Sequence, residues 1–445
     1  MVWGSEGAMV LQGIGGWTML RVARHTWSPS CRRRGWNMKI QWSNNPMSCG
    51  RALAIGVLVT SVQVSVSGQL DVGVTVLDLS AETERQVVVD REPGQYLGHV
   101  STVLLEDGQT ILAVYPKGHG RGAIVLKRSE DGGRTWSERR PVPASWATSK
   151  ETPTIHRVVD AAGRRRLLLW SGLYPARRAL SEDDGRTWTE LEPAGEWGGV
   201  VVMGFVEATR RPGHYLAMFH DDGRYFCEKP STNRWMTLYL TRSSDGGVSW
   251  TFPVAVWSNQ AVHLCEPGGI WSPDRRRLAV LLRENRRVKS SHIMFSDDEG
   301  QTWTVPIEMP WSRAGDRHTL RYGPDGRIVC VFRAVTPQGI RGRSFGHNAD
   351  VDTLGSGSPF EGDCVAWVGT WEDLVENRPG QYYVRLLNNR KGWDTTYPGV
   401  EVLSDGTIVV TTYGHWDVGE PPYIRSVRFR LEEFDRMAAK STRGP

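Results

Sequence analysis

Four copies of one turn motif and six recurring pairs of short apolar segments predict an all-β chain folded as a six-bladed β-propeller. The motif is Ser-x-Asp-x-Gly-x-(Thr/Ser)-Trp, at Ser129–Trp136, Ser181–Trp188, Ser243–Trp250 and Ser296–Trp303. Its aspartates, Asp131, Asp183, Asp245 and Asp298, are spaced by 52, 62 and 53 residues, the length of one four-stranded blade. The residue types fit a tight turn between two strands. The carboxylate accepts backbone N–H bonds, the glycine tolerates positive φ, and the tryptophan fills an apolar gap.

Taken in order, the chain begins with a segment set apart from the propeller. Residues 1–46 are rich in Arg and Trp and lack an apolar period. Met47 to Gly68 has a short basic start at Arg51, an apolar stretch from Ala52, and small residues Val66 and Gly68 at the −3 and −1 positions. That pattern predicts a signal peptide over 47–68, with Met47 or Met38 as the start, residues 1–46 an upstream segment, and a secreted or periplasmic protein. The stretch is short and broken by Thr, Gln and Ser, so stable membrane insertion is not expected.

The leader also carries the charge. Of 54 basic and 49 acidic residues, seven and one fall in residues 1–70, which leaves 47 and 48. The propeller is therefore near neutral, and nothing in its charge predicts a nucleic-acid partner. Its four cysteines, Cys227, Cys265, Cys330 and Cys364, lack metal-ligand spacing. No metal and no cofactor is predicted. Cys330 and Cys364 fall in one blade, where a disulfide and two buried thiols are both open.

The propeller is predicted over 71–436, with a disordered tail over 437–445. The paired segments are 98–108 with 110–115, 151–155 with 166–170, and 199–205 with 215–220. They continue with 265–271 and 278–285, 316–322 and 328–333, and 396–403 and 408–413. Motif copies follow in blades one to four, and blade five keeps only a degenerate version near Val368–Trp371. Val87–Val89 is predicted to supply the outer strand of blade six and so join the ends of the ring. The long polar stretch Gly339–Gly362 reads as a loop of blade five.

First-strand starts and second-strand ends share one face, opposite the motif turns. That funnel mouth is predicted to gather His99, Lys117 and His119 from blade one, Glu151 from blade two, and His220, Asp221 and Asp222 from blade three. Blade four adds Glu266, Arg283 and Glu284; blade five adds Arg317, His318 and Arg333; blade six adds Tyr397, His415 and Trp416. Trp170, Tyr174, Trp416 and Tyr423 suit either sugar stacking at the mouth or packing between blades.

The repeated motif is the Asp-box, and the chain resembles the sialidase superfamily of Asp-box propellers over roughly residues 84–430. That resemblance implies a glycoside hydrolase acting on a terminal acidic sugar, with carbohydrate as its partner. Cys265-Glu266-Pro267, Leu282-Arg283-Glu284 and Tyr397-Pro398-Gly399 match the family's glutamate, second arginine and tyrosine. They imply a Tyr397–Glu266 pair in which the glutamate takes the phenolic proton and the tyrosine attacks the anomeric carbon or stabilises an oxocarbenium-like state. The chain departs elsewhere. Gly98-His99-Val100 has no arginine, the loop Pro116–Gly122 has no acid/base aspartate, and Asp363 stands where a third arginine belongs. Arg317 and Arg333 are candidates to rebuild the carboxylate clamp, with His318, Glu151, Asp221 and Trp416 as further substrate contacts. His99 and His119 are candidates for the missing acid. The alternative reading is a non-catalytic propeller that binds glycans or proteins.

Overall fold

A computed structural model describes residues 8–13, 16–21, 73–232, 234–335 and 360–441. The predicted signal peptide and most of the Gly339–Gly362 loop lie outside these residues. The chain divides into two units, Met1–Gln63 and Val64–Pro445. In the first, Ala8–Gly13 and Gly16–Arg21 pair as an antiparallel hairpin.

The second unit is a six-bladed propeller. The innermost strands are Ser101–Leu104, Thr154–Val159, Val201–Ala208, Leu264–Trp271, Gly315–Tyr322 and Gly399–Val402. Each touches the next around a closed ring. All six overlap the predicted segments, Thr154–Val159 only at its first two residues. The core is not one mass but a set of wedges between neighbouring blades. Leu112, Leu126, Ile155 and Leu169, for example, fill the wedge between blades one and two, and Val331, Val384, Val410 and Val427 fill that between five and six.

The blades are less uniform than the repeat predicts. Blade one has three strands among the described residues; beyond its third strand Ser137 N and Arg140 N donate to the Arg128 and Leu126 carbonyls, and a 3₁₀ turn, Ala144–Thr148, follows. Blade five has five, because Thr75–Asp78 adds in parallel beside Tyr382–Leu387. Blade six closes the ring as expected: Gln86–Asp90 pairs antiparallel with Tyr423–Phe429, with Arg425 opposite Val88. The predicted tail is a correction. Leu431–Ser441 is a helix whose Leu431 and Phe434 are buried against the wedge between blades five and six.

The motif turns behave as their chemistry demands. In blade three Ser249 N donates to Asp245 Oδ1 at 2.9 Å, Ser249 Oγ to Asp245 Oδ2 at 2.5 Å, and Trp250 Nε1 to the Gly247 carbonyl at 2.9 Å. Gly246 has φ +71°, and a Cβ there would lie 2.7 Å from Asp160 Cα of the neighbouring blade, so only glycine fits. The motif serines pair with the hairpin ends of the second strands, as in Ser129 opposite Ile111 and Ser296 opposite Leu278. A Cβ on Gly132 would meet Leu403, at the far end of the blade-six strand from Tyr397. The first motif turn and the funnel mouth therefore lie at opposite ends of the strands. In blade five the turn is replaced by a short helix, Trp371–Val375, whose Thr370 and Asp373 form a capping box.

Cys330 and Cys364 carry free thiols. They sit on paired strands but out of register, Cys330 facing Trp367 and Cys364 facing Arg333. No described helix is long and apolar enough to cross a membrane.

Candidate active site

The tops of the inner strands share one device. His99, Met203, Glu266, Arg317 and Thr396 all have left-handed backbones, with φ between 49° and 58°. Beside three of them the ladder slips register, at Val201/Phe205, Cys265/Gly268 and Asp316/Thr319. A bulge of this kind re-aims a side chain out of the pleat. Left-handed backbone in non-glycine residues costs about 1–3 kcal/mol and clusters at functional sites.

At the centre Tyr397 OH donates to Glu266 Oε1 at 2.5 Å. Arg283 Nη1 donates to the same oxygen at 2.8 Å. Burial pushes the Glu266 carboxyl up, but Arg283 outweighs it and holds the group below its ordinary range. Burial and the Glu266 charge push the Tyr397 phenol well above 10. The pair is therefore a carboxylate accepting from a neutral phenol. Glu266 Oε2 is buried without a hydrogen-bond partner among the described residues. His220 supports the bulge from behind: its Nδ1 accepts from Glu266 N at 3.3 Å, and burial brings its ring down to about 4.

Sequence reasoning missed the residue that organises the arginines. Asp316, 1% exposed, accepts from Arg333 Nε at 2.8 Å and Nη2 at 2.6 Å, and from Arg287 Nη2 at 2.5 Å; Arg283 Nε lies 3.1 Å away. Despite burial, these three cations hold its carboxyl far below the usual range. Arg333 also donates through Nη1 to the carbonyls of Trp393 and Thr395, fixing the approach to Tyr397. Arg317 differs. Its guanidinium lies 5.4 Å from the Tyr397 ring centroid, and among the described residues no carboxylate pairs with it. Among the described residues its buried Nη1 has no hydrogen-bond partner, nor does Nη1 of Arg287.

A second cluster forms beside the pair. His119 Nδ1 lies 2.8 Å from Tyr96 OH and 3.3 Å from Asp394 Oδ1. Tyr96 OH donates to Asp394 Oδ1 at 2.6 Å, and His415 Nε2 lies 3.0 Å from Asp394 Oδ2. His99 fills the space between His119 and Tyr397, its ring 4.6 Å from the first and 4.4 Å from the second. Glu151 sits below the loop that carries His119. Its Oε1 accepts from Thr152 N and Oγ1 at 2.9 Å, and burial pushes its carboxyl up to about 7.

Other expected contacts are placed elsewhere. His318 Nε2 donates to the Arg313 carbonyl at 2.9 Å and its ring packs on Phe332, so the side chain belongs to blade five rather than the mouth. Asp221 accepts the N–H groups of Gly223 and Tyr225 and shapes their loop, as Glu284 does for Val288. Asp222 pairs with Arg224 and Lys117 with Glu92. Trp416 is buried in the wedge between blades five and six, donating to the Tyr423 carbonyl at 2.9 Å. Trp170 packs against Trp197 at a tilt and against Trp250 edge-on. Both tryptophans are packing residues, because strand-end aromatics reach the neighbouring blade before they reach the channel.

Below the pair the channel continues to the motif face. There it opens into a cavity of about 740 Å³ whose lining includes His156, Arg157, Glu207, Arg275, Arg321 and Glu401. Among the described residues no cluster of His, Cys, Asp and Glu could hold a metal ion.

No family model matches the chain, and no curated protein matches it. Solved structures do. A protein of unknown function from Dyadobacter fermentans is 16% identical, with TM-score 0.58 over 77% of this chain and 97% of its own. The intramolecular trans-sialidase of Ruminococcus gnavus is 13% identical, with TM-score 0.51 over 76% and 95%. A Hadza microbial sialidase is 16% identical, with TM-score 0.52 over 76% and 66%. At these identities the likeness is one of fold: the chain has the propeller of sialidases and trans-sialidases.

Proposed function

We propose that this protein is a glycoside hydrolase that removes a terminal acidic sugar, with Tyr397 as nucleophile and Glu266 as its base. The observation that carries this is the 2.5 Å bond from a neutral phenol to an ionised, arginine-held carboxylate. Such a pair lets the oxygen attack an anomeric carbon while its proton passes to Glu266. A neutral nucleophile suits an anionic sugar, which would repel a carboxylate.

The cations support the substrate class. Arg283, Arg287 and Arg333 pair with two carboxylates, Glu266 and Asp316, and Arg317 lies over the Tyr397 ring with no carboxylate partner among the described residues, which leaves positive charge in excess. Nη1 of Arg287 and of Arg317, which have no hydrogen-bond partner among the described residues, are donors that a sugar carboxylate would satisfy. Export, proposed from residues 47–68, would bring such an enzyme to extracellular glycans.

The test is a screen of umbelliferyl glycosides, acidic and neutral, against wild type and Tyr397→Phe. Hydrolysis of an acidic sugar, lost in the variant, is the expected result. Binding of glycans at micromolar concentration without turnover would replace this reading with a binding propeller.

A further inference from the structure

We propose that His119 is the general acid and base of this site, and that Asp394 is the residue that positions it. The inference rests on the Tyr397–Glu266 reading and supplies the proton donor that reading lacks.

The hydrogen bonds fix the tautomer. Tyr96 gives its only proton to Asp394 Oδ1. Its oxygen can then only accept from His119, so Nδ1 carries a hydrogen and faces Tyr96 and Asp394. Nε2 is left for substrate, on a side chain that is 64% exposed. Asp394 is in turn held by His415 and Tyr413, at 3.0 and 3.3 Å. A carboxylate behind one imidazole nitrogen orients the ring and stabilises its protonated form.

The neighbouring candidates are committed elsewhere. His99 is 5% exposed, its Nδ1 accepts from Gly120 N at 3.1 Å, and its Nε2 faces Tyr413 OH. Burial brings it down to about 3, so it stays neutral. Glu151 faces His119 from blade two, with Arg121 near it, and spends Oε1 on Thr152. The groups that face His119 are thus Tyr96, Asp394, His99 and Glu151.

The chemistry balances. Tyr397 Oη attacks the anomeric carbon as its proton moves to Glu266. The bond to the leaving oxygen breaks with its electron pair, and that oxygen takes the Nε2 proton of the His119 imidazolium, which leaves the neutral ring with its hydrogen on Nδ1. In the second half water gives a proton to Nε2 and its oxygen attacks the anomeric carbon. The tyrosyl bond then breaks, and Oη recovers its proton from Glu266.

The experiment compares 4-methylumbelliferyl and methyl glycosides of N-acetylneuraminic acid, or of the sugar the screen above returns. The full chain is used as wild type, His119→Gln, Asp394→Asn, Asp394→Glu, Glu151→Gln and Tyr397→Phe. An umbelliferyl group leaves without protonation; a methoxide does not. His119→Gln is expected to lose about 10²–10⁴-fold in kcat/KM on the methyl glycoside but under about tenfold on the umbelliferyl one. Its kcat and KM on the latter fall together, and the alkaline limb of its pH profile disappears. Asp394→Asn gives the same pattern more weakly, and Asp394→Glu restores part of it. If Asp394→Asn does not fold, the exposed His119 variant still decides. Equal losses on both glycosides, full activity in His119→Gln, or the leaving-group pattern in Glu151→Gln instead would overturn the assignment. Tyr397→Phe must fail on both substrates. A wild type inactive on every glycoside overturns the hydrolase reading and this one with it.

Discussion

Arg333 grips Asp316 with two nitrogens, Nε at 2.8 Å and Nη2 at 2.6 Å, in a site where both side chains are at least 94% buried. This two-point contact anchors a carboxylate that Arg283 and Arg287 also share. Breaking a buried ion pair from one side leaves uncompensated charge, at a cost of about 3–5 kcal/mol. Asp316→Asn is expected to lower stability by that amount in urea unfolding. It should also weaken catalysis, because Arg283 loses one of its two anchors.

Tyr397→Phe should separate chemistry from stability. The ring and its contacts remain, and Glu266 keeps its bond from Arg283. The expected loss in stability is about 1 kcal/mol, read from urea unfolding. The expected loss in kcat is several orders of magnitude. A comparable loss from Glu266→Gln would mark the two as one unit.

Glu207 gives a pH signature in the channel. Burial pushes its carboxyl from 4.5 to about 7, so the folded state holds this proton more tightly than the unfolded chain. Stability from this group is fully present below 4.5 and is lost as pH rises towards 7. Glu207→Gln removes that loss. The variant should gain about 1–2 kcal/mol relative to wild type between pH 5 and pH 8, by denaturant midpoints at the two values.

The motif aspartates have the opposite sign. Partial burial raises the Asp183 carboxyl, but bonds from Thr187 and Ser181 outweigh it and hold the group below 3.8. Their stabilisation is present above 3.8 and is lost as pH falls through the lowered value. Asp183→Ala should cost about 1–2 kcal/mol at pH 7, and the difference from wild type should shrink in acid, as read from thermal unfolding at pH 7 and pH 3.

The inner strands and motif turns were legible because each writes its requirement locally: β-branched runs for buried strands, Asp and Gly for turns. The Tyr397–Glu266 pair and Arg283 were legible through resemblance. Asp316 was not, although it begins a predicted strand. Its partners, Arg287 and Arg333, lie on a loop and on another strand, and spacing along the chain carries no record of that convergence. Asp394 was missed for the same reason, three residues before Tyr397 in a stretch with no period. Trp416 and His318 were misplaced because a strand end offers a side chain two destinations, the channel or the next blade, and composition does not choose between them.

The closing strand sets when this site can exist. Glu266 and Tyr397 are 131 positions apart, and the strand that seals blade six comes from residues 86–90, paired with 423–429. Such distant pairings are slow to form because the intervening loop must be ordered first. A chain emerging from synthesis can build early blades one after another. Its sixth blade is complete only when residues 423–429 meet residues 86–90. Activity is thus an end-of-assembly signal: a partly folded chain is silent, and the appearance of turnover during refolding should track ring closure, not the earlier gain of β structure.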